Sequence, residues 1–113
     1  MARALITVPP TAKRGEIIAL RVLIQHPMET GYRRSSEGAM LSRNLIRRFT
    51  CRFEADGTVK KTEDIFSATL HAAIAANPFI LFHALATTSG VFVFSWEGDN
   101  GFAQTERAVL VVL

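Results

Sequence analysis

A thiol flanked by guanidinium groups is the strongest chemical signal in this chain. Cys51 stands between Arg48 and Arg52, with Arg47 beside Arg48. Nearby cations favour the thiolate, which attacks sulfur and carbonyl centres. The pattern around it argues against that chemistry. In an extended segment successive side chains point to opposite faces, so Cys51 shares a row with Leu45, Phe49 and Phe53, while Arg48, Thr50 and Arg52 form the other row. The sequence therefore predicts a buried, inert thiol.

The remaining candidates are weaker. His26, His71 and His83 are far apart, and none forms the H-x-H or H-x-x-x-H pair that holds a metal on one element. His26 beside Glu29 suggests an acid-base pair across a turn, and a hydrogen-bonded histidine in a proline corner is the plainer reading. Glu97-Gly98-Asp99-Asn100-Gly101 brings oxygen ligands onto a tight turn but lacks the carboxylate spacing of a calcium loop. Phe92, Phe94 and Trp96 fall on one face, either as core or as a stacking platform for single-stranded nucleic acid beside the arginines. No catalytic residue, cofactor or metal site is expected, and the chain is not expected to be an enzyme.

The elements that carry these residues are short and extended. Residues 1–113 suffice for one domain with a single core, and 49% hydrophobic against 20% charged residues speaks against disorder. Leu5 to Val8 reads as a first strand, stopped by Pro9-Pro10. Glu16 to Gln25 alternates, with Ile18, Leu20, Val22 and Ile24 on one side and Arg21 among the other set, where Ile17, Ala19 and Leu23 blur the pattern. Strands are expected over Asn44 to Glu54, Thr58 to Thr62, Ile65 to Leu70, Phe79 to Ala86, Val91 to Glu97 and Phe102 to Leu113. Asp56-Gly57 reads as a hairpin turn and His71 to Ala76 as one helical turn. Seven to eight short strands without a sustained helical period predict an all-β, immunoglobulin-like β-sandwich.

Between the second and third strands runs a polar loop, Met28 to Ser42, long for a connection in a compact domain. The net charge is only +3, yet six of the ten arginines (Arg33, Arg34, Arg43, Arg47, Arg48 and Arg52) lie within twenty residues. Such a cluster suits a phosphate backbone, an acidic protein surface, a small oxyanion or a merely solvated strand face. No apolar run is long enough for a membrane helix, and the N-terminal stretch before Pro9-Pro10 is too short for a signal-peptide core.

Four segments in order, His26-Pro27-Met28-Glu29-Thr30-Gly31, Arg48-Phe49-Thr50-Cys51-Arg52-Phe53, Ala73-Ile74-Ala75-Ala76-Asn77-Pro78-Phe79 and Gly90-Val91-Phe92-Val93-Phe94-Ser95-Trp96, resemble the SoxZ family of sulfur-oxidation proteins across nearly the whole chain. The resemblance implies a non-catalytic subunit that forms a heterodimer with SoxY. In that family SoxY holds thiosulfate-derived sulfur on a cysteine in a glycine-rich C-terminal arm, and the other Sox enzymes act on the arm in turn. This sequence has no such tail and fits the Z-type subunit. Residence in the periplasm is implied, after export in complex with a signal-bearing partner. On this reading His26 and Pro27 fix a rigid strand exit, and Met28, Glu29, Thr30, Gly31, Tyr32, Arg33 and Arg34 are offered to a partner, with Arg43 and Phe79 as further contact residues. Ile17 and Leu23 are the strand residues that an interface would also use. Contact with nucleic acid or membrane is not expected. A generic immunoglobulin-like adaptor and, behind it, a basic nucleic-acid-binding module remain the alternatives.

Overall fold

Wherever apolar residues alternate the chain is extended, and two sheets bury their apolar rows against each other. The computed structural model of the chain describes residues 3–56, 61–71, 74 and 76–113. Eight strands follow in order: β1 (Ala4–Thr7), β2 (Thr11–Ala12), β3 (Ile17–Ile24), β4 (Ile46–Ala55), β5 (Lys61–Thr69), β6 (Phe79–Leu85), β7 (Gly90–Gly98) and β8 (Ala103–Val112). One sheet has the order β1-β3-β6 and the other β2-β8-β7-β4-β5. All neighbours are antiparallel except β2, which runs parallel to β8. This is the predicted immunoglobulin-like sandwich. Pro9-Pro10 ends the pairing of β1 with β3, because proline donates no ladder hydrogen bond, and the chain crosses to the second sheet as β2.

The core is filled from both inner faces. On β3 the even residues Ile18, Leu20, Val22 and Ile24 are buried, as their spacing predicts. Across the gap lie Phe49, Cys51 and Phe53 of β4 and Phe92, Phe94 and Trp96 of β7, all buried. Phe82 of β6 stacks on Phe66 of β5, ring centroids 4.7 Å apart, and meets Phe49 edge-on at 6.1 Å. Phe49 also lies 5.2 Å from Trp96. Each such ring contributes roughly 1.5–3 kcal/mol by burial, with a further increment from aromatic pairing.

Two sequence expectations need correction. Thr58 to Thr62 and Ile65 to Leu70 were expected as separate strands, whereas residues 61–69 form the single strand β5. The break in alternation is absorbed by a register shift: Cys51 opposes Phe66 and Arg52 opposes Asp64, leaving Ile65 as the extra residue. A bulge admits one unpaired residue without ending the strand. The short strand β2 was not expected at all, and two residues carry too little period to register. A second shift, between Ile46 and Arg48, turns both Arg47 and Arg48 outward. Gly57 of the Asp56-Gly57 turn, Thr58, Val59 and Lys60 of the strand expected after it, and Ala72, Ala73 and Ala75 of the alanine-rich turn lie outside the described residues.

Gly90 opens β7 opposite Ala55, where a Cβ atom would stand 2.3 Å from the Glu54 carbonyl oxygen and 2.6 Å from the Phe53 ring. Neither neighbour can yield without disturbing the ladder or the Phe53–Phe92 contact at 4.8 Å. Gly90→Ala is expected to cost about 2–3 kcal/mol in urea unfolding, the upper range for overpacking. A loss below about 0.5 kcal/mol would mean that the two strands are free to move apart there.

Candidate partner-binding site

The predicted site residues begin where β3 stops. His26 donates its N–H to Asn77 Oδ1 at 2.9 Å and accepts the Asn77 N–H on its carbonyl at 2.7 Å. Its ring is buried, edge-on to Phe102 with centroids 4.9 Å apart. Nδ1 accepts the Met28 N–H at 3.0 Å, so the proton of the neutral ring sits on Nε2, which has no hydrogen-bond partner among the described residues. Burial pushes the His26 pKa below its ordinary value, against the opposing pull of Asn44 and Asp99. The imidazole is a neutral structural acceptor. Glu29 does not pair with it; its carboxylate takes the Arg33 guanidinium at 3.0 Å, a contact that holds its pKa below the usual carboxylate range.

Met28 does not face solvent. It adopts a positive φ of 50° and is buried, with its sulfur accepting the Ile46 N–H at 3.2 Å. His26 and Met28 thus form the root of the loop, while Pro27 between them is exposed. Beyond the root the loop is a two-legged excursion. Glu29 and Asn44 exchange backbone hydrogen bonds of 2.8 Å, and Arg34 bridges to Met40 near the tip. Gly31, at φ 90°, sits against Arg43 of the other leg, where a Cβ would approach the Arg43 Cβ to 3.2 Å. Thr30 Oγ1 accepts the Tyr32 N–H at 3.2 Å. Tyr32 then projects outward, 84% exposed, with Arg33 and Arg34 also exposed.

The returning leg is held by a residue whose part in the site sequence reasoning missed. Asp99, in the 3-10 turn Asp99–Gly101 after β7, accepts the Leu45 N–H at 3.1 Å and pairs with Arg43 Nε at 2.9 Å and Arg47 Nη1 at 3.6 Å. Partial desolvation raises its pKa, but the Leu45 hydrogen bond and the two arginines outweigh that and leave it lowered. Asp99 N–H also donates to the Leu45 carbonyl at 2.8 Å. The Gly-Asp-Asn-Gly pattern marks a turn, and nothing local in it points to partners more than fifty residues away.

The arginine cluster is consequently not one patch. Arg33 faces Glu29, Arg34 donates to the Gly38 carbonyl at 2.9 Å, Arg43 and Arg47 share Asp99, and Arg52 pairs with Asp64 at 3.2 Å. Phe92, Phe94 and Trp96 are buried, so the stacking platform weighed from the sequence does not exist. Cys51 lies in the core row as predicted, fully buried, its thiol pushed up to about 12 by desolvation. Among the described residues no group of three or more His, Cys, Asp or Glu could hold a metal ion.

Phe79 belongs to a different surface. It is 56% exposed on the outer face of the β1-β3-β6 sheet, paired in register with Leu23. Ile17, 70% exposed, lies on the same face. The blurred alternation of β3 therefore reflects a largely apolar outer row that the described residues leave uncovered.

The chain matches the family model of the sulphur oxidation protein SoxZ over residues 6–109. No curated protein sequence matches it significantly. Among solved structures, the superoxide reductase (neelaredoxin) from Ignicoccus hospitalis is similar at a TM-score of 0.78 and 18% identity, over 97% of this chain and 80% of that one. A putative superoxide reductase from Thermotoga maritima gives 0.76 at 14% identity, over 97% and 85%. The sulfur carrier protein SoxY from Chlorobium limicola f thiosulfatophilum gives 0.61 at 12% identity, over 97% and 78%. At such identities these likenesses show the fold alone.

Two outcomes test the root and the staple of the excursion. A depressed histidine pKa stabilises the fold fully above about pH 6.5, its ordinary value, and that contribution is lost as pH falls toward the lowered folded value. His26→Asn keeps an acceptor for the Met28 N–H but cannot titrate, so its melting temperature should fall less than the wild type's between about pH 7 and pH 5. Equal slopes would place the pH dependence elsewhere. Asp99→Asn removes the charge that holds Arg43 and Arg47, and limited proteolysis within residues 29–44 should accelerate several-fold while the core melts cooperatively. An unchanged cleavage rate would mean that the backbone bridges alone fix the legs.

Proposed function

This chain belongs to the SoxZ family of sulphur oxidation proteins, and from that membership we propose that it is the non-catalytic half of a SoxYZ-type heterodimer, which carries sulfur intermediates during thiosulfate oxidation on a cysteine of its SoxY-type partner. The family match over residues 6–109 carries the reading. The chemistry of Cys51 supports the division of labour. Covalent carriage of sulfur needs a thiol that ionises and can be reached, and this chain's single cysteine is fully buried with its pKa raised to about 12. At neutral pH only about one such thiol in 10⁵ is ionised. On this reading the carrier thiol is the partner's.

The reading brings a compartment and a set of encounters with it. The complex works in the periplasm, reached together with a signal-bearing partner. The excursion meets the other Sox enzymes transiently through Tyr32, Arg33 and Arg34, whose exposure at the far end of two anchored legs suits docking. No step of the chemistry falls to this chain, whose part is to present the carrier.

Co-expression with a SoxY-type chain should give a stable one-to-one complex by size-exclusion chromatography. Mass spectrometry after turnover with thiosulfate and the other Sox enzymes should place every sulfur adduct on the partner. Cys51→Ala should turn over at the wild-type rate. An adduct on Cys51, or full turnover without this chain, would overturn the reading. Arg33→Ser with Arg34→Ser should leave complex yield intact while turnover falls and loses part of its salt sensitivity.

A further inference from the structure

The outer face of the β1-β3-β6 sheet is built unlike the other outer face. Register lays out its rows: Leu5, Leu23 and Phe79 lie side by side, then Thr7, Arg21 and Leu81, then Ala19 and His83, and last Ile17 and Leu85. Leu5, Ile17, Phe79, Leu81 and Leu85 are between 47% and 70% exposed. The three strands contain no Asp or Glu. Arg21, exposed in the middle of the sheet, makes no salt bridge among the described residues. The outer face of the five-stranded sheet differs in its charges, with Arg52 paired to Asp64 and Arg107 to Glu54 beside the exposed Val109 and Val111. One face pairs its arginines with carboxylates, and the other sets a lone arginine among apolar side chains.

Scale and shape define what would cover it. Strands about 4.8 Å apart that rise about 3.3 Å per residue give three strands of this length a flat footprint on the order of 300 Å², before side-chain relief is added. That is the scale of the apolar patches, roughly 300–600 Å², that mark interaction sites on monomers. It can form the centre of a standard interface of about 800 Å² per partner, with flanking segments as rim. At one end the face dips into a hollow of about 430 Å³ lined by Arg3, Leu5, Leu23 and Asn77, large enough to take a bulky side chain.

Charge chooses the occupant. Covering Arg21 with apolar groups alone would bury an unpaired guanidinium, a cost of several kcal/mol. A second copy of this chain, laid face to face, would bring another Arg21 and no carboxylate from its sheet. We propose that this face is the docking surface for the sheet of a second β-sandwich, apolar in its middle, with a carboxylate that meets Arg21 and a large apolar side chain that enters the hollow beside Leu5 and Leu23. The occupant is the SoxY-type partner, so the proposal rests on the heterodimer reading and assigns it a surface. Two sheets packed this way stand about 10 Å apart, and Phe79, Leu81 and Leu85 fill the space between them.

Binding of a SoxY-type chain from the same organism separates the surface from the reading. Calorimetric titration compares the wild type with Ile17→Gln/Leu81→Gln, Arg21→Gln, Arg21→Glu and, on the opposite face, Val109→Glu, with thermal melts to confirm that each variant is folded. The double variant should bind about 30-fold more weakly or worse, the loss that marks central interface residues. Arg21→Glu should bind more weakly than Arg21→Gln, because it sets like charges together, while Val109→Glu should stay within about twofold of the wild type. Folded face variants that bind as tightly as the wild type would overturn the surface and leave the heterodimer reading standing. A wild-type chain that binds no SoxY-type partner would overturn the reading, and the surface with it. Dimerisation of this chain alone, abolished by Ile17→Gln/Leu81→Gln, would overturn the choice of occupant.

Discussion

Three rings hold one sheet on the other. Phe82 of the β1-β3-β6 sheet stacks on Phe66 and meets Phe49 edge-on, and Phe49 in turn touches Trp96 and Phe94. Because a sandwich of this thickness is closed by side chains from both inner faces, every strand must commit its inward row to this contact. That commitment decides the fate of the residues with chemical potential. Cys51 sits in the committed row and is withdrawn from reaction, and so are the aromatics of β7. The arginines of β4 fall to the outside, where the bulge at Arg47 and the carboxylates of Asp99 and Asp64 distribute them.

Among the described residues, what the sandwich leaves for function is two outer faces and one long excursion. The same frame is shared with superoxide reductases and with a SoxY, at identities too low to carry more than architecture. Family membership and the local chemistry therefore carry the functional argument. The excursion is a built feature of the surface, rooted by His26 and Met28 on one leg and stapled by Asp99 on the other. Its exposed residues lie at the end of an anchored lever, in contrast to a slack loop.

Much of this was legible in the residues, and the exceptions have physical causes. Alternation located the core rows of β3, β4 and β7, because a strand covered on one side must repeat every two residues. It failed at β5, where a bulge shifts the phase, and at β2, which is too short to show a phase. The loop of Met28 to Ser42 was visible from its composition. Its anchoring was not, since Asn77 and Asp99 reach it from elsewhere in the chain. Met28 read as a surface residue because sequence cannot tell that its sulfur would meet a buried N–H. Arg21 read as a member of the outward set of a blurred strand, and only the three-strand register shows it standing among exposed leucines and a phenylalanine.

The aromatic cluster also makes the protein its own optical gauge. Trp96 is the single tryptophan, 1% exposed and packed against Phe49 beneath the sheet junction. An indole so enclosed emits from an apolar setting until the sheets separate, and no tyrosine competes from the interior, because the single tyrosine, Tyr32, is out in solvent. The emission maximum therefore follows the integrity of the core, and the tyrosine signal follows the tip of the excursion. One spectrum reads the scaffold and the lever as separate colours.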